Sequence, residues 1–91
     1  MNRRITINML EQVADRINKV TGNPTELITR SGDAAIGHYY IDGSYGGYAL
    51  YQVTNKGGGA REIFNSGHIP ARELYLRMHA FLEGIDATRY R

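Results

Sequence analysis

Hydrophobic positions recur along this chain with two different periods. In "NMLEQVADRINKVTG", Leu10, Val13, Ile17 and Val20 return at three- and four-residue steps with Ala14 beside them, giving one apolar stripe on a helix. The spacing of Asn8 and Glu11 predicts a capping box at its start, with Asn in the place of Ser or Thr. Asp15 and Lys19 stand one turn apart on the polar side. Gly22 followed by Asn23-Pro24 ends the helix, because glycine accepts the left-handed conformation and proline cannot continue the ladder. The helical period returns in "PARELYLRMHAFLEGIDA". Pro70 suits a first turn, and Leu74, Met78, Phe81 and Ile85 line one face with Tyr75 and Leu82 flanking it. Glu73 and Arg77 pair on the outside, and Gly84 falls near the end. The closing tail, residues 87–91 with "TRYR", is expected to fray.

Between the helices the period changes to two. "TELITRSGDAAIG" is polar and unpatterned except for Leu27 and Ile28, and reads as an irregular connection holding a short extended piece. "HYYIDGSYGGYALYQVTN" is rich in tyrosine and β-branched residues, the composition of strands. Gly46-Gly47 supplies a two-residue hairpin loop that places Tyr45 opposite Tyr48 and Ile41 opposite Gln52. Asp42-Gly43 is a rival turn that would shift this register. With the Gly-Gly loop, Tyr39, Ile41, Tyr45, Tyr48 and Leu50 share one face, and Tyr40, Asp42, Ser44, Ala49, Tyr51 and Val53 share the other. "NKGGGA" is a looser second turn leading to a third strand, "AREIF". The expected fold is α+β, in the order α-β-β-β-α: a three-stranded antiparallel sheet with two helices packed on one face. Both sheet faces then carry tyrosines, and only one lies under the helices.

At 91 residues the chain reads as a single domain spanning 1–91, and a chain of this size buries about 60–65% of its unfolded surface. Its 42% hydrophobic and 22% charged residues belong to a globular class rather than a disordered one. Cysteine is absent, which excludes disulfides and thiolate chemistry and fits a reducing compartment. No apolar run approaches the roughly 18 residues of a membrane span, and "MNRRITINML" lacks the apolar core of a signal peptide. A cytoplasmic location without membrane association follows as the expectation. The net charge of +2 is spread along the chain rather than gathered in a basic stripe. Nine of the eleven cations are arginine, the residue suited to bidentate and stacked contacts.

The glycine clusters invite a phosphate-binding reading, which their context rejects. A P-loop needs its lysine after the last glycine at the mouth of a helix, whereas Lys56 precedes Gly57 to Gly59 and a strand follows. "GSYGG" differs from a nucleophile elbow in spacing, and Ser44 reads as a hairpin residue. His38, His68 and His79 share no metal-ligand spacing, and His79 with Glu83 reads as a helix-surface pair. No catalytic residue, metal site or cofactor is assigned, and a non-enzymatic protein is expected.

What remains is surface. Five of the seven tyrosines fall in one hairpin, and aromatic anchors beside arginine are the usual content of an interface centre. The candidate partner-binding residues are Tyr40, Tyr45, Tyr48, Tyr51, Lys56 and Arg61. The alternative is a nucleic-acid surface using the same hairpin with His68, Arg72 and Arg77. The segments "RITINMLEQVADRINKVTG", "YGGYALYQVTNKGGG" and "ARELYLRMHAFLEGI" resemble a family of short uncharacterised proteins of tailed phages and prophages. The resemblance implies a phage origin, a bacterial host cytoplasm, and an accessory role exerted on a host protein, including a defence component, or on a second copy of itself. The element order is also similar to that of the double-stranded-RNA-binding domain, which grips phosphates with lysines at the start of its second helix. Here that position reads "HIPARELYLR", without lysine.

Overall fold

The computed structural model describes residues 4–89. Helix α1 spans Ile7–Thr21, strands β1, β2 and β3 span Tyr39–Ser44, Gly47–Val53 and Ala60–Glu62, and helix α2 spans Ala71–Arg89. The sheet is antiparallel in the order β1-β2-β3, so the α-β-β-β-α arrangement stands.

Leu10, Val13, Ala14 and Ile17 of α1 and Leu74, Met78 and Leu82 of α2 are buried together with Tyr39 and Leu50 of the sheet. Ile41, Tyr48, Ile63, Phe64, Ile69 and Phe81 pack around them. Both helices therefore cover the face that carries Tyr39, Ile41, Tyr48 and Leu50.

The ends of the elements differ from the sequence reading in three places, besides the hairpin loop. The N-cap of α1 is Thr6, whose side chain accepts from the Met9 amide at 3.3 Å. Asn8 lies inside the first turn, so the Asn8–Glu11 capping box does not form. Gly22 closes the helix as expected, with φ 74° and the Asn23 amide donating to the Asn18 carbonyl at 2.8 Å. β3 stops at Glu62, because the Glu62 carboxylate turns back to accept from the amides of Ser66 and Gly67. Ile63 keeps one bond to β2, its amide donating to the Leu50 carbonyl at 2.9 Å, and with Phe64 it packs against the core. Helix α2 runs through Gly84 to Arg89, so residues 87–89 of the expected frayed tail are helical, while Tyr90 and Arg91 lie outside the described residues.

The hairpin loop is the largest correction. Tyr45 and Gly46, with φ 54° and 76°, are its central residues, and Ser44 faces Gly47. Two positive φ values in a two-residue loop are those of a type I′ turn, whose twist matches the strands. Gly46-Gly47 is not the loop, and neither is Asp42-Gly43. Ile41 consequently pairs with Leu50 and Tyr48 with Gly43. The slip is two positions along the strand, so the face assignments survive it, except for Tyr45, which leaves the strand altogether. The connection before β1 holds the short extended piece expected, an isolated bridge between Ile28 and Ala34 closed around Gly32.

Candidate functional site: an aromatic face

Each glycine of Gly46-Gly47 has its own task. Gly46 supplies the left-handed turn. Gly47 has an ordinary φ, but a Cβ there would stand 3.0 Å from the backbone of His68 and Ile69. The chain needs that closeness because Ile69 pairs with Tyr48 through reciprocal hydrogen bonds of 2.8 and 3.0 Å, continuing the edge that β3 abandoned. The loop folded around the Glu62 carboxylate thus delivers His68 onto the face of the sheet opposite the helices.

On that face a succession of five rings forms. His38 stacks on Tyr40, with centroids 6.1 Å apart and planes within 9°. Tyr40 stacks on its cross-strand partner Tyr51 at 5.8 Å and 20°. Tyr51 meets His68 at 6.4 Å, and His68 meets Tyr45 edge-on at 6.1 Å. These separations lie within the range of favourable aromatic pairs. His68 is held by Nε2–H donating to Asp42 Oδ2 at 2.7 Å, and His38 by Nδ1–H donating to the Pro24 carbonyl at 2.8 Å. Tyr40 and Tyr51 are half-buried, whereas Tyr45 is 100% exposed.

Burial pushes the Tyr40 phenol above its ordinary range, and the negative charges of Asp42 and of ionised Tyr51 add to the effect. At one end the row borders an open groove of about 310 Å³ lined by Leu27, Ile28, Ala34, Val53 and Lys56. Leu27 and Ile28 are themselves exposed.

The expected site residues divide accordingly. Tyr40, Tyr45 and Tyr51 share this face, and Lys56 stands at the groove beside Tyr40. Tyr48 does not belong with them. It lies on the helix side, packed against the core, with its ring 3.2 Å from where a Gly43 Cβ would stand. Arg61 faces Gln52 across the ladder and donates to its Oε1 at 3.0 Å, which also puts it on the helix side. Arg72 and Arg77 are exposed positions of α2, and Arg77 bonds Glu73 at 3.2 Å. Of the residues proposed for nucleic acid, His68 alone joins the aromatic face, and it does so bound to a carboxylate. His79 makes no surface pair with Glu83: its ring packs against Tyr75 at 4.5 Å, and its Nε2 is buried without a partner.

Asp42, Ser44 and His68 share one side of the sheet and are the residue types of a hydrolytic triad. His68 donates to Asp42, yet Ser44 makes no hydrogen bond to His68, so no relay is assembled. Among the described residues no group of three or more His, Cys, Asp or Glu could hold a metal ion. No described helix is long and apolar enough to cross a membrane.

The residue that sequence reasoning missed is Asn18. It is 1% exposed, accepts from the Tyr39 amide at 2.7 Å and donates to the Tyr39 carbonyl at 3.0 Å. Its amide stands in for a neighbouring strand at the outer edge of β1. The signal lay in the stripe itself: Leu10, Ala14 and Asn18 follow one another at four-residue steps, so a polar residue occupies a core position.

Comparison with family models, with curated proteins and with solved structures finds no match to this chain.

Proposed function

We propose that this is a non-enzymatic binding protein whose aromatic sheet face engages a protein partner. Tyr45 carries the reading. An L-residue with a bulky side chain in the left-handed region costs roughly 1–2 kcal/mol, and glycine or asparagine would avoid most of it. Tyr45 nonetheless occupies that position wholly exposed. Its single ring contact, edge-on to His68, offsets little of the cost. A strained, solvated tyrosine at the end of a five-ring row is of use to something outside the chain, and tyrosine is among the residues enriched at interface centres.

The charge on the face favours protein over nucleic acid. Lys56 is the cation beside it, Asp42 is within it, and Arg61, Arg72 and Arg77 stand elsewhere. A phosphate-tracking surface gathers its cations along the stacking rings. On the resemblance of three sequence segments to tailed-phage and prophage proteins, the proposal extends to an accessory role in a bacterial host, on a host factor such as a defence component or on a second copy.

The test is capture from bacterial lysate by the wild-type protein, by Tyr45→Asn and by the Tyr40→Ala/Tyr51→Ala pair, each with and without nuclease. A discrete protein retained after nuclease by the wild type and lost by both variants supports the proposal. Recovery that disappears with nuclease, or that ignores both variants, overturns it.

A further inference from the structure

The two edges of the sheet are finished differently. Beyond β2 lie β3 and then Ile69. Beyond β1 lies no strand among the described residues. In the antiparallel β1–β2 ladder, Tyr40, Asp42 and Ser44 direct their backbone groups toward β2, while those of Tyr39, Ile41 and Gly43 point outward. Asn18 takes both groups of Tyr39. The N–H and C=O groups of Ile41 and Gly43 make no hydrogen bond to any described residue. The edge is therefore closed at its first half and open at its second.

A groove of about 260 Å³ between α1 and β1 runs along the closed half and reaches the open half at Ile41; Glu11, Asp15, Asn18, Thr25 and Tyr39 also line it. Glu11 has no ion-pair partner among the described residues, and Asp15 shares its charge with Lys19 at 3.0 Å. On the opposite face of the same edge stands Asp42, which accepts from His68 at 2.7 Å and keeps part of its carboxylate exposed. A strand added here would alternate its side chains between Glu11 and Asp15 on the helix side and Asp42 on the other.

We infer that the open half of the β1 edge accepts an extended, basic segment of a partner chain as a fourth strand. Its backbone bonds the N–H and C=O of Ile41 and Gly43, and a lysine or arginine opposite Ile41 reaches the groove beside Glu11. Main-chain bonds supply the attachment and the acidic flanks the selectivity. A second copy is the weaker occupant on charge: two antiparallel β1 edges joined through Ile41 and Gly43 would set Asp42 against its own counterpart, and like charges directly opposite destabilise a ladder.

The probe is the peptide acetyl-Val-Thr-Lys-Thr-Lys-Val-amide, followed by amide hydrogen exchange and by fluorescence anisotropy. In the free protein the Ile41 and Gly43 amides exchange rapidly. With peptide they become protected while Tyr40 and Asp42, already bonded to β2, change little. Methylating the lysine backbone nitrogens, which leaves the charge intact, should weaken binding about tenfold or more. Glu11→Lys combined with Asp15→Lys, on the solvent side of α1 and so compatible with folding, should weaken it by about tenfold as well. Binding that tolerates the methylation, absence of binding at millimolar peptide, or protection of Ile41 and Gly43 arising from self-association without peptide would each overturn the inference.

Discussion

Tyr48 and Tyr51 stand three residues apart on the same strand and do opposite things. Tyr48 lies under the helices, its ring laid over Gly43 and packed against the core. Tyr51 lies on the far face, stacked on Tyr40 and leaning on His68. Both are half-buried and both satisfy the same strand propensity. What separates them is parity: in a pleated strand an odd spacing sends two side chains to opposite faces. The helix face is a core whose contents are fixed by packing. The ring face is a layer whose members touch chiefly one another, so its residues are free to serve a partner.

That contrast predicts unequal costs on truncation. Leu50→Ala, at a side chain 1% exposed in the middle of the helix face, should lower stability by about 3 kcal/mol. For a domain of this size the melting temperature should fall by roughly 10 °C or more. Tyr51→Ala forfeits ring stacking on an open face and should cost about 1 kcal/mol. Urea denaturation of the two variants measures the difference, and equal losses would mean that the ring face is a second core.

The edge of the sheet gives the next largest effect. Asn18→Ala leaves the buried N–H and C=O of Tyr39 without partners and should cost about 2 kcal/mol. Asn18→Leu sharpens the test. By its position in the apolar stripe leucine ought to be welcome, but it cannot bond the strand, so it should destabilise as well. A stable Asn18→Leu variant would reduce Asn18 to an ordinary helix position.

Asn18 also marks where the sequence stopped being legible. Periodicity revealed both helices, all three strands and, except for Tyr45, the division of the hairpin tyrosines between two faces, because those follow from which residues are apolar and how they are spaced. It did not reveal the partner of a lone polar group in the stripe, since Tyr39 lies 21 residues away. The loop was misplaced for a related reason. Gly46-Gly47 offers the ideal residues for a tight turn, and only the approach of His68 and Ile69 from a distant segment explains why Gly47 is needed in the strand. The same event, Glu62 folding the chain back on itself, brings His68 to Asp42 and assembles the ring row. Tyr40, Tyr45 and Tyr51 could be nominated from composition. Their separation from Tyr48 and Arg61 required the final register and the helix side to be known together.

Tyr45 tests whether the ring face is kept at the expense of stability. Tyr45→Asn places a residue that tolerates positive φ into the turn and should raise stability by up to about 1 kcal/mol, read as a higher melting temperature. The same variant should lose the partner. A change that stabilises the fold while abolishing binding would set the turn residue apart from every residue of the helix face, where loss of stability and loss of structure go together. If the melting temperature falls, the edge-on contact with His68 outweighs the strain, and Tyr45 belongs to the fold rather than to a partner.

The smallest effect is on titration, and it distinguishes burial from charge within the ring row. Tyr40 holds its proton above the ordinary tyrosine value of 10.0, chiefly because burial disfavours the phenolate, then because Asp42 and Tyr51 add negative charge. The native state thus binds this proton more tightly than the unfolded chain does. Its contribution to stability is fully present below the ordinary value and declines as pH rises through the higher native one. Followed by tyrosinate absorbance, one tyrosine should ionise above the ordinary value of 10.0, and Tyr40→Phe should remove that late component. Asp42→Asn should bring it only part of the way down, because burial, the larger cause, is untouched. Complete return to the ordinary value would make Asp42 the controlling group, and the layer over Tyr40 would then be far wetter than the stacked rings imply.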